Sequence, residues 1–119
     1  MVYKLSPDID LSFLLGIDLL QVCVGKNEVI LNFTDDVRIT LLSEFLIKEA
    51  DQELVTFHET SDGAQALVRM LNDEIEHAKA TKEGGLLIAF RSGTTLGIPD
   101  TSEVYESFWI SKGERQIIV

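Results

Sequence analysis

The sequence is poor in cysteine, in histidine and in positive charge, and it has no long apolar run. Cys23 is the single cysteine of the 119 residues, so an internal disulfide is impossible and disulfide or zinc-finger scaffolds are excluded. A lone thiol is typical of a reducing compartment, and we expect a cytoplasmic location. The longest apolar run, from Leu11 to Leu20, is interrupted by Gly16 and Asp18 and is too short to span a bilayer. We therefore expect neither a transmembrane helix nor a signal peptide.

The shortage of cations is the strongest compositional feature. Ten Lys and Arg stand against twenty Asp and Glu, which gives a formal net charge of −10. A surface of this charge repels nucleic-acid phosphates and anionic membranes, so we expect neither as a partner. A basic protein is the natural complement. The same charge also keeps many cytoplasmic proteins in solution, so charge alone does not select a function.

Residues that commonly carry catalysis are scarce and isolated. His58 and His77 each lie in a predicted strand, outside any nucleophile or metal pattern. The acidic pairs in "PDID" and "TDD" lack the remaining spacing of an EF-hand. The glycines lie at hairpin turns or within a strand, not in a strand-to-helix phosphate loop. We therefore expect no enzymatic activity, no cofactor and no metal site.

An internal repeat organises most of the chain. A shift of 57 residues, the separation of Phe33 from Phe90, aligns "VILNFTDDVRITL" with "LLIAFRSGTTLGI". Both stretches alternate apolar and polar residues, which indicates strands with one face inward, and each contains a short turn, "TDD" or "RSG". Upstream, "LGIDLLQVCV" aligns with "LNDEIEHAKA". Each copy, residues 15–41 and 71–98, is therefore predicted to be a three-stranded antiparallel meander.

One helix is predicted between the copies, at about residues 62–72. Asp62 and Gln65 resemble a capping box, and the following apolar residues recur at helical spacing. The same spacing continues through Ile75 and Ala78, but the repeat requires a strand from about Glu74. We give the repeat precedence, because periodicity over one or two turns is the weaker pattern.

The remaining segments complete an α+β fold. "RITLLSEFLIKEA" is predicted to be one long strand, "QELVTFHE" another, and "SFWISKGERQIIV" a final hairpin. The expected architecture is a single domain, residues 1–119, with a mostly antiparallel β-sheet built from the two duplicated meanders and the helix packed on it.

The aromatic residues near the C-terminus allow two interpretations. In a strand from Ser107 to Ile110, Phe108 and Trp109 face opposite sides of the sheet. In the first interpretation Phe108 seals the core and Trp109 covers a sheet edge or the helix. In the second, Tyr105 and Trp109 anchor a protein interface, since such residues dominate binding energies.

Four stretches resemble a family of small bacterial domains. They are "LGIDLLQVCVGKNEVILNF" from Leu15, "ALVRML" from Ala66, "GGLLIAFRSGTTLGIPD" from Gly84 and "YESFWI" from Tyr105. Proteins of this type are similar to immunity proteins encoded beside secreted or contact-delivered bacterial toxins. The "YESF" block is the most specific part, although this chain has Phe108 where the pattern has tryptophan. The resemblance implies a protein-binding role and carries over no catalytic residues.

The leading hypothesis is a cytoplasmic immunity protein that binds the catalytic domain of a cognate toxin, a basic nuclease. The expected partner-binding residues are two acidic segments and two aromatics, namely Asp35, Asp36, Glu49, Asp51, Glu53, Tyr105 and Trp109. One alternative is a small enzyme or ligand-binding domain with a pocket between the repeats, where His58 or His77 meets carboxylates. Another is a regulatory adaptor that binds a host protein. The oligomeric state is left open.

Overall fold

The computed structural model describes residue 6, residues 8–100 and residues 107–118, and within them ten strands form two antiparallel sheets. Sheet I has the strand order β1-β2-β3-β9-β10, and sheet II has the order β5-β4-β8-β7-β6. The strands are β1 (Leu19–Val24), β2 (Val29–Phe33), β3 (Val37–Leu41), β4 (Phe45–Lys48), β5 (Val55–Phe57), β6 (Ile75–Ala80), β7 (Leu86–Phe90), β8 (Thr95–Ile98), β9 (Phe108–Lys112) and β10 (Arg115–Ile118). A mostly antiparallel β fold with one helix, as expected from the sequence, is confirmed.

Because side chains alternate along each strand, one face of each sheet packs into a shared core. β2 and β7 both alternate buried and half-buried residues along their five positions, as the apolar alternation predicts. Side chains from both sheets, from the 3₁₀ turn Ser12–Leu14 and from the helical segment form one buried cluster. Phe45, Phe90 and Phe108 are its largest fully buried members.

Two stretches of consecutive strands have matching registers. β1, β2 and β3 pair in sequence order in sheet I, and β6, β7 and β8 do so in sheet II. Leu31 lies opposite Ile39 in the first, and Ile88 opposite Leu96 in the second. The first strand of each stretch also carries a register irregularity at its start, just after Leu19 in β1 and just after Ile75 in β6.

Residues 16–19 and 72–75 form the strand junction, where the chain segments leading into β1 and β6 pair with each other. An antiparallel bridge joins Asp18 to Glu74 at its centre. Four backbone hydrogen bonds of 2.7 to 3.1 Å surround the bridge, with the N–H groups of Gly16, Leu19, Asn72 and Ile75 donating to the carbonyls of Ile75, Asp73, Leu19 and Ile17 respectively. The junction therefore ties the start of β1 in sheet I to the start of β6 in sheet II.

The hairpins that follow the two meanders are exchanged between the sheets. β4 comes after β3 in the chain but pairs with β8, so that Ile47 lies opposite Leu96. β9 comes after β8 but pairs with β3, so that Ile110 lies opposite Ile39. Each sheet is consequently completed by a hairpin from the other half of the chain. The predicted C-terminal hairpin is confirmed, with its turn at Gly113.

The single long strand predicted for "RITLLSEFLIKEA" is wrong. β3 ends at Leu41 and β4 begins at Phe45, in the other sheet. Both residues are fully buried, and the alternating pattern of apolar residues continues on both sides of the break. The sequence pattern therefore does not reveal where the chain passes from one sheet to the other.

The predicted helix at residues 62–72 is shorter than expected. A 3₁₀ turn, Thr60–Gly63, leads into the helix α1, Ala64–Val68, and no side chain caps either segment. Asn72 adopts a left-handed conformation with φ of 69°, and its N–H donates to the Leu19 carbonyl in the strand junction. Pairing with β1 therefore takes the chain out of the helix, and β6 begins at Ile75, as the precedence of the strand pattern requires. In the described part of the chain, no helix has the length and apolar character needed to cross a membrane.

The strand junction provides a first stability prediction. Gly16 has a φ of +83°, and no atom lies within 4 Å of a Cβ built at this position. Gly16→Ala therefore introduces backbone strain without a clash, and we expect it to lower the free energy of unfolding by about 1 kcal/mol. Asn72→Gly, which relieves the same strain on the other segment, should leave stability unchanged or raise it. Urea denaturation checks both, and a Gly16→Ala variant as stable as the parent would contradict the assignment.

Candidate protein-binding cleft

The residues predicted to bind a partner lie on two different sheets. Asp35 and Asp36 form the turn between β2 and β3 in sheet I, whereas the segment from Glu49 to Glu53 lies in the loop between β4 and β5 in sheet II. Trp109 lies in β9, and Tyr105 falls outside the described residues. The structure therefore does not gather the predicted set into one site.

The conformation of the acidic β2–β3 turn is fixed by its backbone. Asp35 and Asp36 have φ values of 62° and 59°, a left-handed conformation that aspartate tolerates better than most residues. The Asp36 carbonyl accepts a hydrogen bond of 3.0 Å from the N–H of Gly113, in the neighbouring β9–β10 turn. Both side chains are exposed, so the turn presents two carboxylates on a fixed backbone.

Trp109 lies on the outer face of sheet I. It pairs across the sheet with Thr40 and is half-buried, whereas the neighbouring Phe108 is fully buried in the core. The predicted division of these two aromatics between opposite faces is therefore confirmed. The indole Nε1 is buried without a hydrogen-bond partner among the described residues.

The acidic segment in sheet II borders a cleft between the β4–β5 hairpin and α1. The cleft has a volume of about 360 Å³. We call it the acidic cleft; it is lined by Ile47, Glu49, Gln52, Glu53, Val55, Phe57, Ala66 and Arg69. Its floor is apolar and its rim is charged, a combination typical of sites that bind an anchoring side chain.

The floor of the acidic cleft depends on two aromatic rings and a glycine. Phe57 at the end of β5 packs against the buried Phe45, with ring centroids 5.4 Å apart. Gly63 precedes α1 and lies so close to both rings that a Cβ there would be 2.7 Å from Phe45 Cε2 and 2.9 Å from Phe57 Cγ. The glycine therefore lets the helical segment approach the β4–β5 hairpin beside Phe57, which lines the cleft.

Around the cleft, Glu49 is paired, whereas Glu53 on the rim and Asp51, in the same loop but outside the lining, are available. Arg69 Nε donates to Glu49 Oε1 at 2.8 Å, and this hydrogen bond, with the attraction between the charges, raises the pKa of Arg69. The Arg69 side chain is 57% exposed, so solvent screens the pair and it contributes little to stability. Asp51 and Glu53 are exposed and form no ion pair or hydrogen bond with another described residue. Their charges are free to meet a cation from outside.

The two histidines lie apart from the acidic cleft. His58 Nδ1 is 2.9 Å from Glu44 Oε2, and the His58 side chain is 79% exposed. His77 is exposed in β6 and borders an open surface depression that contains no carboxylate. In the described ranges, no group of three or more His, Cys, Asp and Glu side chains is placed to hold a metal ion.

Phe57, Gly63 and Arg69 are candidates that the sequence does not single out. Alternation in "VTFHE" places Phe57 opposite His58 but does not indicate that β5 is the edge strand of a sheet. Gly63 falls within the helix predicted from the capping pattern. Arg69 stands in the apolar stretch "ALVRML" without a local partner, and its contact with Glu49 joins residues 20 positions apart.

A comparison with protein families matches residues 14–119 to the family described as "Family of unknown function (DUF6188)". The match spans most of the sequence, so the chain belongs to this family. No curated protein and no solved structure shows significant similarity to the chain. Arguments about its function therefore rest on the geometry described above, and the resemblance to immunity proteins stays a prediction.

The close approach at Gly63 generates a second stability prediction. Gly63→Ala forces the rings of Phe45 and Phe57 apart, and we expect a loss of about 1 to 3 kcal/mol in the free energy of unfolding. Gly97→Ala is the matched control, because a Cβ at Gly97 has its nearest neighbours at 3.7 to 3.8 Å, which is ordinary contact. It should change stability by no more than about 0.5 kcal/mol. Urea denaturation that gives equal losses for the two variants would contradict the packing described here.

Proposed function

We propose that this chain is a protein-binding domain whose acidic cleft receives basic side chains of a partner, and that it acts as an immunity protein against a basic nuclease toxin. The observation that carries the proposal is the composition of the cleft. Its floor contains apolar side chains such as Val55 and Phe57, and its rim contains Glu49 and Glu53. A long cationic side chain fits both parts, because its aliphatic stem packs on the floor while its charged end meets the carboxylates.

The overall charge supports the same kind of partner. A net charge of −10 attracts a basic protein over a distance of about one Debye length, roughly 8 to 10 Å at physiological salt. This attraction raises the association rate before any close contact forms. The free carboxylates of Asp51 and Glu53 then supply short-range pairing on a part of the loop that borders an apolar floor.

A nuclease is the basic partner that best explains inhibition by an acidic loop. The substrate site of a nuclease must attract phosphates, so it presents Lys and Arg side chains. Carboxylates of the β4–β5 loop would occupy that site in place of phosphates and exclude the nucleic acid. The proposal needs no catalytic group in this chain, and in it Asp35, Asp36, Tyr105 and Trp109 are secondary contacts outside the cleft.

We also propose that the fold arose by duplication of one β-rich unit. The registers of β1–β3 and β6–β8, the irregularities at Leu19 and Ile75, and the reciprocal hydrogen bonds of the strand junction correspond pairwise. The left-handed Gly16 and Asn72 correspond as well. If the proposal is correct, relatives of the chain keep the strand registers of both sets of strands, and differences in length fall in the turns. An alignment with insertions inside one set of strands only would contradict it.

The functional proposal predicts a partner that can be captured and whose binding depends on the cleft. The tagged chain is used to isolate binding proteins from the native host, with elution by increasing salt and identification by mass spectrometry. We expect one basic nuclease domain that stays bound into high salt and whose activity the purified chain inhibits. With that nuclease, the double variant Asp51→Asn, Glu53→Gln should slow association about tenfold at low salt.

The control variant changes the net charge equally but leaves the cleft intact. Glu76 and Glu114 are exposed acids outside the cleft lining, and the double variant Glu76→Gln, Glu114→Gln should slow association by less than about twofold. Equal effects of the two double variants would show that only total charge matters. Capture of a partner without nuclease activity would favour a regulatory adaptor instead of an immunity protein.

A further inference from the structure

The outer face of sheet II carries a second concave site, away from the acidic cleft. This groove has a volume of about 460 Å³, within the range of small-molecule sites. We call it the Gly97 groove; it is lined by Leu46, Leu54, Thr81, Glu83, Leu86, Leu87, Thr95, Gly97, Ile98, Pro99 and Asp100. Most of these residues are apolar, and both carboxylates belong to residues close to the turn and strand end at one side of the sheet.

The groove exists because its central strand has no side chain at position 97. Gly97 in β8 lies between Leu46 of β4 and Leu87 of β7. A Cβ at Gly97 would be 3.7 Å from Leu46 Cδ1 and 3.8 Å from Leu87 Cδ1, so the two leucines form the walls of a channel over bare backbone. A ligand chain lying in this channel would contact apolar carbon on both sides.

The polar end of the groove contains a carboxylate oxygen without a partner. Ser107 is fully buried, and its hydroxyl donates to Asp100 Oδ1 at 3.1 Å. Asp100 Oδ2 is also buried, and it has no hydrogen-bond partner among the described residues. Because this oxygen is buried, a ligand in the groove meets the negative charge of Asp100 and not the oxygen itself. Glu83 adds a second negative charge to the same lining.

We propose that the Gly97 groove binds a small lipophilic amine. The ammonium group is attracted by the carboxylates of Glu83 and Asp100 at the polar end, while the apolar body lies over Gly97 between Leu46 and Leu87. An ammonium ion supplies the complementary positive charge and can donate to the exposed carboxylate of Glu83. A carboxylate or phosphate headgroup would instead be repelled by the two acids of the lining. The site shares no lining residue with the acidic cleft, and this proposal does not rest on the proposed protein-binding function.

The test uses decylamine, with decanoate and decanol as headgroup controls, each below its micelle concentration. Binding is followed by ¹⁵N–¹H correlation spectra of the labelled full chain. We expect saturable shifts at the amides of Leu87, Gly97 and Asp100 with decylamine, weaker binding of decanol, and none of decanoate. Absence of shifts in the groove, or decanoate binding as tight as decylamine, would overturn the proposal.

Three substitutions test the groove and its headgroup contacts, and a fourth, in the acidic cleft, is the control. Asp100→Asn keeps an acceptor for Ser107, and it should weaken decylamine binding about tenfold while leaving decanol unchanged. Gly97→Val fills the channel and should abolish binding of both. Glu83→Gln, at an exposed position, should weaken decylamine about twofold to threefold even if Asp100→Asn fails to fold. Glu53→Gln in the acidic cleft should change nothing, and an unchanged decylamine affinity in both the Asp100 and Glu83 variants would refute the headgroup assignment.

Discussion

The strand junction is the constraint on which the rest of the structure depends. Described backbone hydrogen bonds between the two sheets are concentrated in residues 16–19 and 72–75. Leu19 and Ile75 are both fully buried there, and a slip of one residue would turn each of them to the opposite face of its sheet. Burial of these two residues therefore fixes the register between the chain segments that lead into β1 and β6. The two meanders, β1–β3 and β6–β8, extend from that register.

The exchange of hairpins makes each sheet depend on both halves of the chain. β4 completes sheet II although it follows β3, and β9 completes sheet I although it follows β8. The helical segments follow the same rule, since α1 packs against β1 and the 3₁₀ turn Ser12–Leu14 packs against β6. Neither half can bury its apolar strands alone, so the 119-residue chain has one core and the loops at its edges have a rigid support.

Local pattern predicted those parts of the fold that depend on alternation, and it did not predict those that depend on partner choice. The strands around Phe33 and Phe90, and the start of β6, follow from period-two burial. The break between Leu41 and Phe45 does not follow from this alternation, because the residues on both sides of the break are apolar and only the strand with which they pair is different. The predicted helix is too long for the same reason, because Asn72 leaves helical geometry to pair with Leu19, which is far away in the sequence. In the acidic cleft, the carboxylates could be named from the sequence, but the apolar floor beside them includes Phe57 of an edge strand, and alternation does not reveal that β5 is at the edge.

The acidic cleft is one of two corresponding positions in the fold, and the difference between them follows from the length of the adjoining loop. Ile47 in β4 and Ile110 in β9 occupy corresponding places opposite Leu96 and Ile39. Beside Ile110 a small depression of about 80 Å³ has a basic rim that includes Lys112 and Arg115. Beside Ile47 the cleft reaches about 360 Å³, with Glu49 and Glu53 on its rim.

The β9–β10 turn contains only two residues, Gly113 and Glu114, and the N–H of Gly113 donates a hydrogen bond to the Asp36 carbonyl. The β4–β5 connection, residues 49–54, is longer and carries three acids. A long loop leaves the β4–β5 edge of sheet II open, whereas a tight turn closes the β9–β10 edge of sheet I, so the acidic loop and the apolar floor lie together at the open edge.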